Sequence, residues 1–361
     1  MRIGLVSTLV ERTPPHRYGG TERVVAALAD GLVRRGHAVT LFATGDSATA
    51  AELVPVVERP LWHNLDYRGE PTWPVARQLA MVAARQADFD IIHSHQDHQF
   101  LPLLFGLDTL AITTLHSRLD LVEYRDVLAA YSFAPLVSIS DAQRVHVRDL
   151  QLNWLATVHN GLDPAPYTYS EKPGDYLVFL GRMSPEKGPE AAVRIAIEAG
   201  MPLRMAAKVP ESDRAYFESV VAPLLKLPSI EFTGEVTARE KAALLAGAYA
   251  LIFPADWPEP FGLSLIEAMA SGTPQVALRR GAIPEIVEDG VTGFVCDTIG
   301  KMAAAVPRVA ALDRAASRRR FLERFTTDVM VDRHVSVYEQ ALSSEPLPRV
   351  AARQLWEKDR A

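Results

Sequence analysis

The stretch EPFGLSLIE, residues 259–267, combines a loop with the start of a predicted helix. Apolar runs at 250–253 and 275–278 flank it and predict two strands, which is typical of an α/β fold. A helix start presents unpaired backbone N–H groups and the positive end of the helix dipole, and both attract phosphate. The residues predicted to line this anion site are Phe261, Gly262, Leu263 and Ser264.

Two carboxylates bracket this helix start. Glu259 lies in the loop, and Glu267 lies about one and a half turns into the helix. Carboxylates beside a phosphate would repel it, so we expect them to accept hydrogen bonds from hydroxyl groups. A ligand that carries both hydroxyls and phosphates is a sugar nucleotide. The alternative is an amphipathic helix with two solvated glutamates.

Composition indicates a folded globular protein of two domains. The chain has 361 residues, 48% of them hydrophobic and 23% charged, and a length of this kind exceeds one typical domain. A formal net charge of −6 gives no support for nucleic-acid binding, which needs a basic surface. The single cysteine, Cys296, excludes an intrachain disulfide. Because the first residues read as a strand and no stretch reaches membrane-spanning length, we expect a cytoplasmic protein.

Short apolar runs alternate with helical patterns along the whole chain, which predicts parallel sheets built from βαβ units. In the first helix, Val24, Leu28 and Leu32 form the apolar face, Thr21 is the expected N-cap, and Gly36 is expected to end the helix. The predicted strands are 2–7, 38–43, 90–95, 111–115, 135–140 and 156–159 in the first half, and 176–180, 203–207, 230–233, 250–253 and 275–278 in the second.

Residues 163–174 are rich in proline and polar side chains, as is typical of a domain linker. We therefore predict one domain at 1–164, a second at 165–326 and a C-terminal helical segment at 327–361. Two doubly wound domains joined in this way would face a central cleft at the carboxyl ends of both sheets, where ligands of such folds bind.

A second candidate site follows the predicted strand 176–180 and reads GRMSPEKG at 181–188. Arg182 offers a bidentate fork for phosphate oxygens, and Lys187 offers a mobile point charge. Cations placed there would stabilise the negative charge that develops when a nucleoside diphosphate departs. The alternative is two loop cations in surface ion pairs.

The segment 255–295 resembles the retaining glycosyltransferases of family four, also called glycosyl transferases group 1. The resemblance rests on EPFG with the later glutamate, AMASGTP at 268–274, IPEIV at 283–287 and GVTGF at 290–294. It implies the GT-B architecture, with an acceptor-binding Rossmann-like domain, a donor-binding one, and a final helix that crosses back to the first. It also implies transfer of a hexose-type sugar from a nucleotide sugar to a hydroxyl acceptor with retention of configuration. UDP is the favoured nucleotide and GDP the alternative. No metal and no cofactor are required.

The resemblance also assigns roles. It implies that Arg182 and Lys187 bind the diphosphate and that Glu259 holds the sugar. Glu267 would bind the ribose, and His116 would lie close to the donor sugar. Further donor contacts are expected from Lys208 and Glu235 around the base, and from Gly19 and Gly20 in the loop after the first strand.

Two glycines before a helix allow the backbone to approach a ligand closely. That loop lacks the GxGxxG pattern of dinucleotide-binding proteins, which argues against an NAD-dependent dehydrogenase.

Histidines cluster in HSHQDH, residues 93–98. His93 and His95 would share one face of a strand, but no acidic or thiol partner with metal-site spacing occurs elsewhere, which disfavours zinc. We expect these histidines to face the acceptor, with His95 and Asp97 as the acceptor-side residues.

Three points stay open at this stage. The family has paired glycines before 283, whereas this chain has RRGA at 279–282, so the donor sugar is not named. A nucleotide-sugar epimerase of the same architecture, or a catalytically silent sugar-nucleotide-binding protein, is an alternative function. The arginines at 314–324 suggest either a membrane-surface contact or a solvated helix face, and the net negative charge does not support the membrane.

Overall fold

A computed structural model describes residues 1–61 and 72–344. The described chain divides into two compact units, each built on one parallel sheet. Among the described residues, the first unit contains 1–15, 19–61, 72–161 and 327–344, and the second contains 16–18 and 162–326.

The sheet of the first unit has the strand order β3-β2-β1-β4-β5-β6-β7, and its paired strands are parallel. Its strands are β1 (Arg2–Val6), β2 (Ala38–Thr44), β3 (Glu52–Val57), β4 (Ile91–Ser94), β5 (Leu110–Leu115), β6 (Leu136–Ser138) and β7 (Trp154–Thr157). Its α-helices in the part of the chain before residue 162 are α1 (Gly20–Arg34), α2 (Thr72–Ala84), α3 (Val122–Ala130) and α4 (Asp141–Arg144).

The sheet of the second unit has the order β10-β9-β8-β11-β12-β13 and is also parallel. Its strands are β8 (Leu177–Arg182), β9 (Leu203–Lys208), β10 (Ile230–Gly234), β11 (Ala250–Phe253), β12 (Gln275–Leu278) and β13 (Gly293–Cys296). Its helices are α5 (Pro189–Ala199), α6 (Arg214–Tyr216), α7 (Ala222–Leu224), α8 (Ala238–Ala246), α9 (Leu263–Ala270), α10 (Ile283–Ile286), α11 (Ile299–Ala305) and α12 (Arg314–Arg324).

Strand order locates the expected binding edge of each sheet. In the first unit the order reverses between β1 and β4, and in the second it reverses between β8 and β11. Ligands of doubly wound sheets bind beyond the carboxyl ends of the strands at such a reversal, because the following loops diverge and leave a crevice. A ligand site is therefore expected at the loops after β8 and β11.

Helix α1 confirms the apolar periodicity but corrects its cap. Val24, Leu28 and Leu32 are buried as predicted, and Gly36 adopts a left-handed φ of 80° just beyond the last turn. The prediction that Thr21 caps the helix is wrong: the helix begins at Gly20, and its N-cap is Gly19, whose lack of a side chain leaves no side-chain capping bond.

Two edge strands, β3 and β13, were not predicted from the sequence. β3 and β13 lie at the free edges of their sheets. β3 contains Pro55, which central strands exclude but edges tolerate, and β13 is only 4 residues long. The strands predicted at 250–253 and 275–278 are confirmed with the same bounds.

The C-terminal helix α13 (Thr327–Ser343) belongs to the first unit. It packs on α1, where a Cβ added to Gly31 would come within 2.5 Å of a methyl group of Val331. The predicted segment continues to residue 361, and positions 345–361 lie outside the described residues. No helix in the described ranges is both long and apolar enough to cross a membrane.

The proline-rich segment 163–174 is fixed to the second unit. The amide of Ser170 donates to the carbonyl of Ser271 at 3.2 Å, and a Cβ on Gly272 would lie 2.7 Å from the ring of Tyr169. Arg314 also donates from Nε to the Ser170 carbonyl at 2.8 Å. The segment therefore runs along the end of α9.

Three arginines of α12 donate hydrogen bonds within the second unit instead of forming a solvated face. Arg314 is buried, with 6% exposure, and donates to the Ala248 carbonyl at 3.0 Å and to the Thr273 hydroxyl at 2.8 Å. Arg318 donates to the Ala270 carbonyl, and Arg324 donates to the Glu285 carbonyl at 3.0 Å. The expectation of a solvated helix face is wrong for these residues, because they satisfy buried carbonyl groups.

We expect Arg314→Met to lower the free energy of unfolding by about 3 kcal/mol, since several buried acceptors lose their donor together. Urea titration followed by circular dichroism measures the change. The control is Arg319→Met on the same helix, where the side chain is 63% exposed and pairs with Asp313. Its expected cost is below about 0.5 kcal/mol. Equal losses in the two variants would contradict a structural role for Arg314.

Candidate active site

Lys187 and Glu259 form an ion pair at the sheet reversal of the second unit. Lys187 ends a short 3-10 turn after β8, and Glu259 lies in the loop after β11. Lys187 Nζ donates to Glu259 Oε2 at 2.6 Å, and the side chains are only 14% and 9% exposed. A largely desolvated pair is oriented by its surroundings and is weakly screened by salt. Two residues that the sequence singled out separately are thus in direct contact.

Trp257 contacts both members of this ion pair. It was not identified as a site residue from the sequence. Its indole Nε1 donates to Glu259 Oε2 at 3.0 Å, and Lys187 Nζ lies 4.6 Å from the centre of its ring. The ring therefore orients the carboxylate through its N–H and the ammonium through its face. The available signal was an aromatic residue two positions before Glu259 in the same loop.

Glycine at 281 is required by the backbone of Glu259. Gly281 has a φ of 50°, and a Cβ built there would lie 2.2 Å from the Glu259 carbonyl oxygen and 2.5 Å from its amide nitrogen. The amide of Ala282 donates to the same carbonyl at 2.9 Å. Arg279 and Arg280, which replace the family's glycines, pair with Asp297 and Asp256. Gly281, the one glycine in RRGA, thus lies where this loop comes closest to the Glu259 backbone.

Arg182 ends β8 and lies beside Lys208 at the end of β9, because the two residues are register partners. Its guanidinium donates to Glu186 at 2.9 Å, and both side chains are 30% exposed. Its Nε is buried and has no hydrogen-bond partner among the residues that the structure describes. The carboxyl ends of β8 and β9 therefore present two neighbouring cations. Glu235, predicted to contact the base, is exposed just after β10.

The predicted helix start is present. Gly262 is the N-cap of α9 with a φ of 90°, and Leu263 is its first residue. Phe261 is buried and packs edge-on against Phe325, with ring centroids 6.2 Å apart. Ser264 lies in the first turn and is partly exposed.

Glu267 lies inside the second unit, with 3% exposure. Its Oε1 accepts from the hydroxyl of Tyr167 at 3.0 Å and from Lys241 Nζ. Neither partner was anticipated, because they lie 100 and 26 residues away in the sequence.

In the first unit, His95 and His116 are hydrogen-bonded to each other at the ends of neighbouring strands. His95 Nδ1 lies 2.8 Å from His116 Nε2. Burial lowers the pKa of His95 well below its ordinary value and also lowers the pKa of His116. Both rings are therefore neutral near pH 7, so that one donates and the other accepts.

Asp97 holds the loop that carries His116. Its two oxygens accept from the His116 amide at 2.6 Å and from the Ser117 hydroxyl at 2.6 Å. Asp97 itself has a positive φ of 50°. It thus fixes the chain that follows β5.

His93 is a core residue. Its ring nitrogens pair with Tyr338 Oη and Thr114 Oγ1, each at 2.7 Å, and the residue is fully buried. The expectation that His93 faces the acceptor is wrong, because both polar atoms of the ring are used inside the first unit. Within residues 1–61 and 72–344, no group of three His, Cys, Asp or Glu is placed to hold a metal ion.

The glycine pair begins α1. Gly19 has a φ of 155°, and a Cβ there would lie 2.8 Å from the Pro15 ring. Glu22, in the first turn, is buried and accepts from the Thr8 hydroxyl. Burial raises the pKa of Glu22 above its ordinary value. A side chain at position 19 would therefore collide with Pro15 of the same β1–α1 loop.

Two family profiles and several known proteins are similar to this chain. The Glycosyltransferase Family 4 profile matches residues 18–166, and the Glycosyl transferases group 1 profile matches 174–311. D-inositol 3-phosphate glycosyltransferase of Mycolicibacterium smegmatis is 27% identical, with 93% of this chain and 90% of that protein aligned.

Solved structures show the same fold. AviGT4, a glycosyltransferase involved in avilamycin A biosynthesis, aligns with a TM-score of 0.71 at 25% identity, covering 95% of this chain and 98% of that one. The Anabaena protein HepE, solved in complex with UDP and glucose, aligns with a TM-score of 0.72 at 18% identity, covering 94% and 99%. The chain belongs to the family-four, group 1 glycosyltransferases and is a glycosyltransferase with the GT-B fold built from two Rossmann-like units.

Proposed function

We propose that this protein transfers a hexose from a UDP-sugar to a hydroxyl acceptor with retention of anomeric configuration, without a metal ion. The observation that carries the proposal is the desolvated Lys187–Glu259 pair at the β8/β11 reversal, with Arg182 at the end of β8. The fold neighbour HepE was solved with UDP and glucose, which supports UDP over GDP as the nucleotide.

In the proposed reaction, Lys187 and Arg182 contact the diphosphate. The bond between the sugar's anomeric carbon and the phosphate oxygen breaks, and negative charge grows on that oxygen. Cations already oriented by the protein stabilise this charge without reorganising. Glu259 and Trp257 hold the Lys187 ammonium in place, and the carboxylate of Glu259 also accepts from a sugar hydroxyl.

Retention needs either a carboxylate nucleophile or attack from the leaving-group face. Glycosidases that retain configuration use two carboxylates across one bond. Here Glu259 and Glu267 have separate partners, Lys187 and Lys241, so they do not form such a pair. We infer front-face attack: the acceptor oxygen bonds to the anomeric carbon, and its proton passes to the departing phosphate oxygen.

His116, Gly19 and Gly20 are proposed to contact the donor from the first unit, and His95 and Asp97 to lie on the acceptor side. The contacts of His95 and Asp97 with His116 support a shared role in orienting its ring and backbone. We propose that the acceptor is a hydroxyl compound. An acceptor screen with the selected donor identifies its class.

A nucleotide-sugar screen tests the proposal. We expect a UDP-hexose to raise the melting temperature more than its GDP counterpart, because ligands that bind only the folded state stabilise it. With the selected donor alone, slow hydrolysis should release UDP and a sugar of retained configuration, seen by NMR. Conversion of the donor into a stereoisomer without acceptor would indicate an epimerase instead. Binding with neither hydrolysis nor transfer to any acceptor would indicate a silent sugar-nucleotide-binding protein.

A further inference from the structure

Three separate elements of the second unit converge on one carboxylate. Glu267 lies on α9, Lys241 lies on α8, and Tyr167 lies in the segment 163–174. The Tyr167 hydroxyl donates to Glu267 Oε1 at 3.0 Å, and Lys241 Nζ donates to the same oxygen. The Lys241 and Glu267 side chains are only 13% and 4% exposed.

Because Glu267 is buried, its carboxylate depends on protein groups instead of water for hydrogen bonds and opposite charge. An ionised carboxylate withdrawn from water is stable only when it is paired and hydrogen-bonded. Lys241 supplies the opposite charge, and the Tyr167 hydroxyl supplies a second, directional contact. Together they keep Glu267 ionised and fix its orientation.

The position of Tyr167 is itself set by α9. Two residues further on, the ring of Tyr169 packs where a Cβ at Gly272 would lie 2.7 Å away, and the Ser170 amide donates to the Ser271 carbonyl. The segment 163–174 is thus attached to the chain that immediately follows the helix that carries Glu267. Residues that composition alone assigned to a linker therefore position the Tyr167 hydroxyl beside Glu267.

We propose that Lys241 and Tyr167 are positioning residues that hold Glu267 ionised and oriented to accept hydrogen bonds from the ribose hydroxyls of the donor nucleotide. The inference rests on the proposed function, which places the ribose on Glu267. A carboxylate has about four acceptor sites, so a single oxygen can accept from Lys241 and Tyr167 at the same time.

A purely structural ion pair would give the same contacts, so the test must report on ribose recognition. Calorimetry measures the dissociation constants of UDP and of 2′,3′-dideoxy-UDP for the wild type, Tyr167→Phe and Lys241→Met. GDP and its dideoxy form replace them if the nucleotide screen selects guanine. Tyr167→Phe removes one hydroxyl and keeps the ring, so it is the variant least able to disturb folding. Melting curves verify that each variant is folded.

For the wild type we expect UDP to bind about tenfold or more tightly than its dideoxy form, the size expected for hydrogen bonds to a charged group. In both variants this ratio should fall towards one, while the dideoxy affinity changes little. The control is Lys301→Met: Lys301 pairs with Asp297 at 2.8 Å in the same unit but is 64% exposed, and its loss should leave the ratio unchanged.

Four outcomes would overturn the inference. Equal weakening of UDP binding and dideoxy-UDP binding would show that Lys241 and Tyr167 have only structural roles. Tighter UDP binding by Lys241→Met would show that the lysine competes with the ribose. A wild type that binds neither UDP nor GDP would overturn the proposed function as well, whereas a wild type that discriminates and variants that keep its ratio would overturn this inference alone.

Discussion

Replacing Lys187 by alanine is expected to lower kcat by about 10²–10³-fold, the loss seen when one preorganised transition-state donor is removed. The ammonium is held at 2.6 Å from Glu259 and lies over the ring of Trp257, so it is oriented before the donor binds. Initial rates with saturating donor and acceptor measure the effect.

The same substitution leaves Glu259 buried without its cation, and breaking a buried pair costs about 3–5 kcal/mol. Activity and folding must therefore be separated. The double variant Lys187→Met/Glu259→Gln removes both charges and should recover much of the melting temperature while turnover stays low. Lys301→Ala, which breaks an exposed lysine–aspartate pair, should change neither quantity. Recovery of turnover in the double variant would mean that Lys187 acts only through stability.

The second large effect is expected from Gly281→Ala. Its Cβ would lie 2.2 Å from the Glu259 carbonyl oxygen, a distance that no relaxed structure accepts, and the φ of 50° adds strain. We expect a loss of about 3 kcal/mol in unfolding free energy, typical of overpacking plus an unfavourable backbone conformation. Because the atoms displaced belong to Glu259, turnover at a temperature where the variant is folded should fall as well.

Gly200→Ala is the matched control for this substitution. Gly200 also has a left-handed φ, of 64°, but nothing lies within 4 Å of an added Cβ. Its cost should be limited to backbone strain, about 1 kcal/mol, with turnover unchanged. Similar losses in the two variants would show that the close approach to Glu259 is unimportant. Thermal unfolding and initial rates report both quantities.

Local patterns were sufficient for much of the fold. The strands at 250–253 and 275–278 and the buried face of α1 followed from apolar runs and helical spacing, which depend on neighbours a few residues away. The motifs that contain Lys187 and Glu259 were also readable, because the residue types at a strand end already limit the chemistry. The edge strand β3 was missed because Pro55 interrupts its local signal, and the edge strand β13 was not predicted either.

Residue patterns alone were enough to predict the alternation of strands and helices, the family and the cations that we propose to bind phosphate. Which side chains contact each other was visible only in the folded structure. Glu259 contacts a lysine 72 residues away, His93 pairs with a tyrosine 245 residues away, and Arg314 turns inward to cap carbonyls more than 60 residues distant. Helices and strands are predictable because their periodicity depends on neighbouring residues. Burial and ion pairing are not, because they depend on which distant segments pack together.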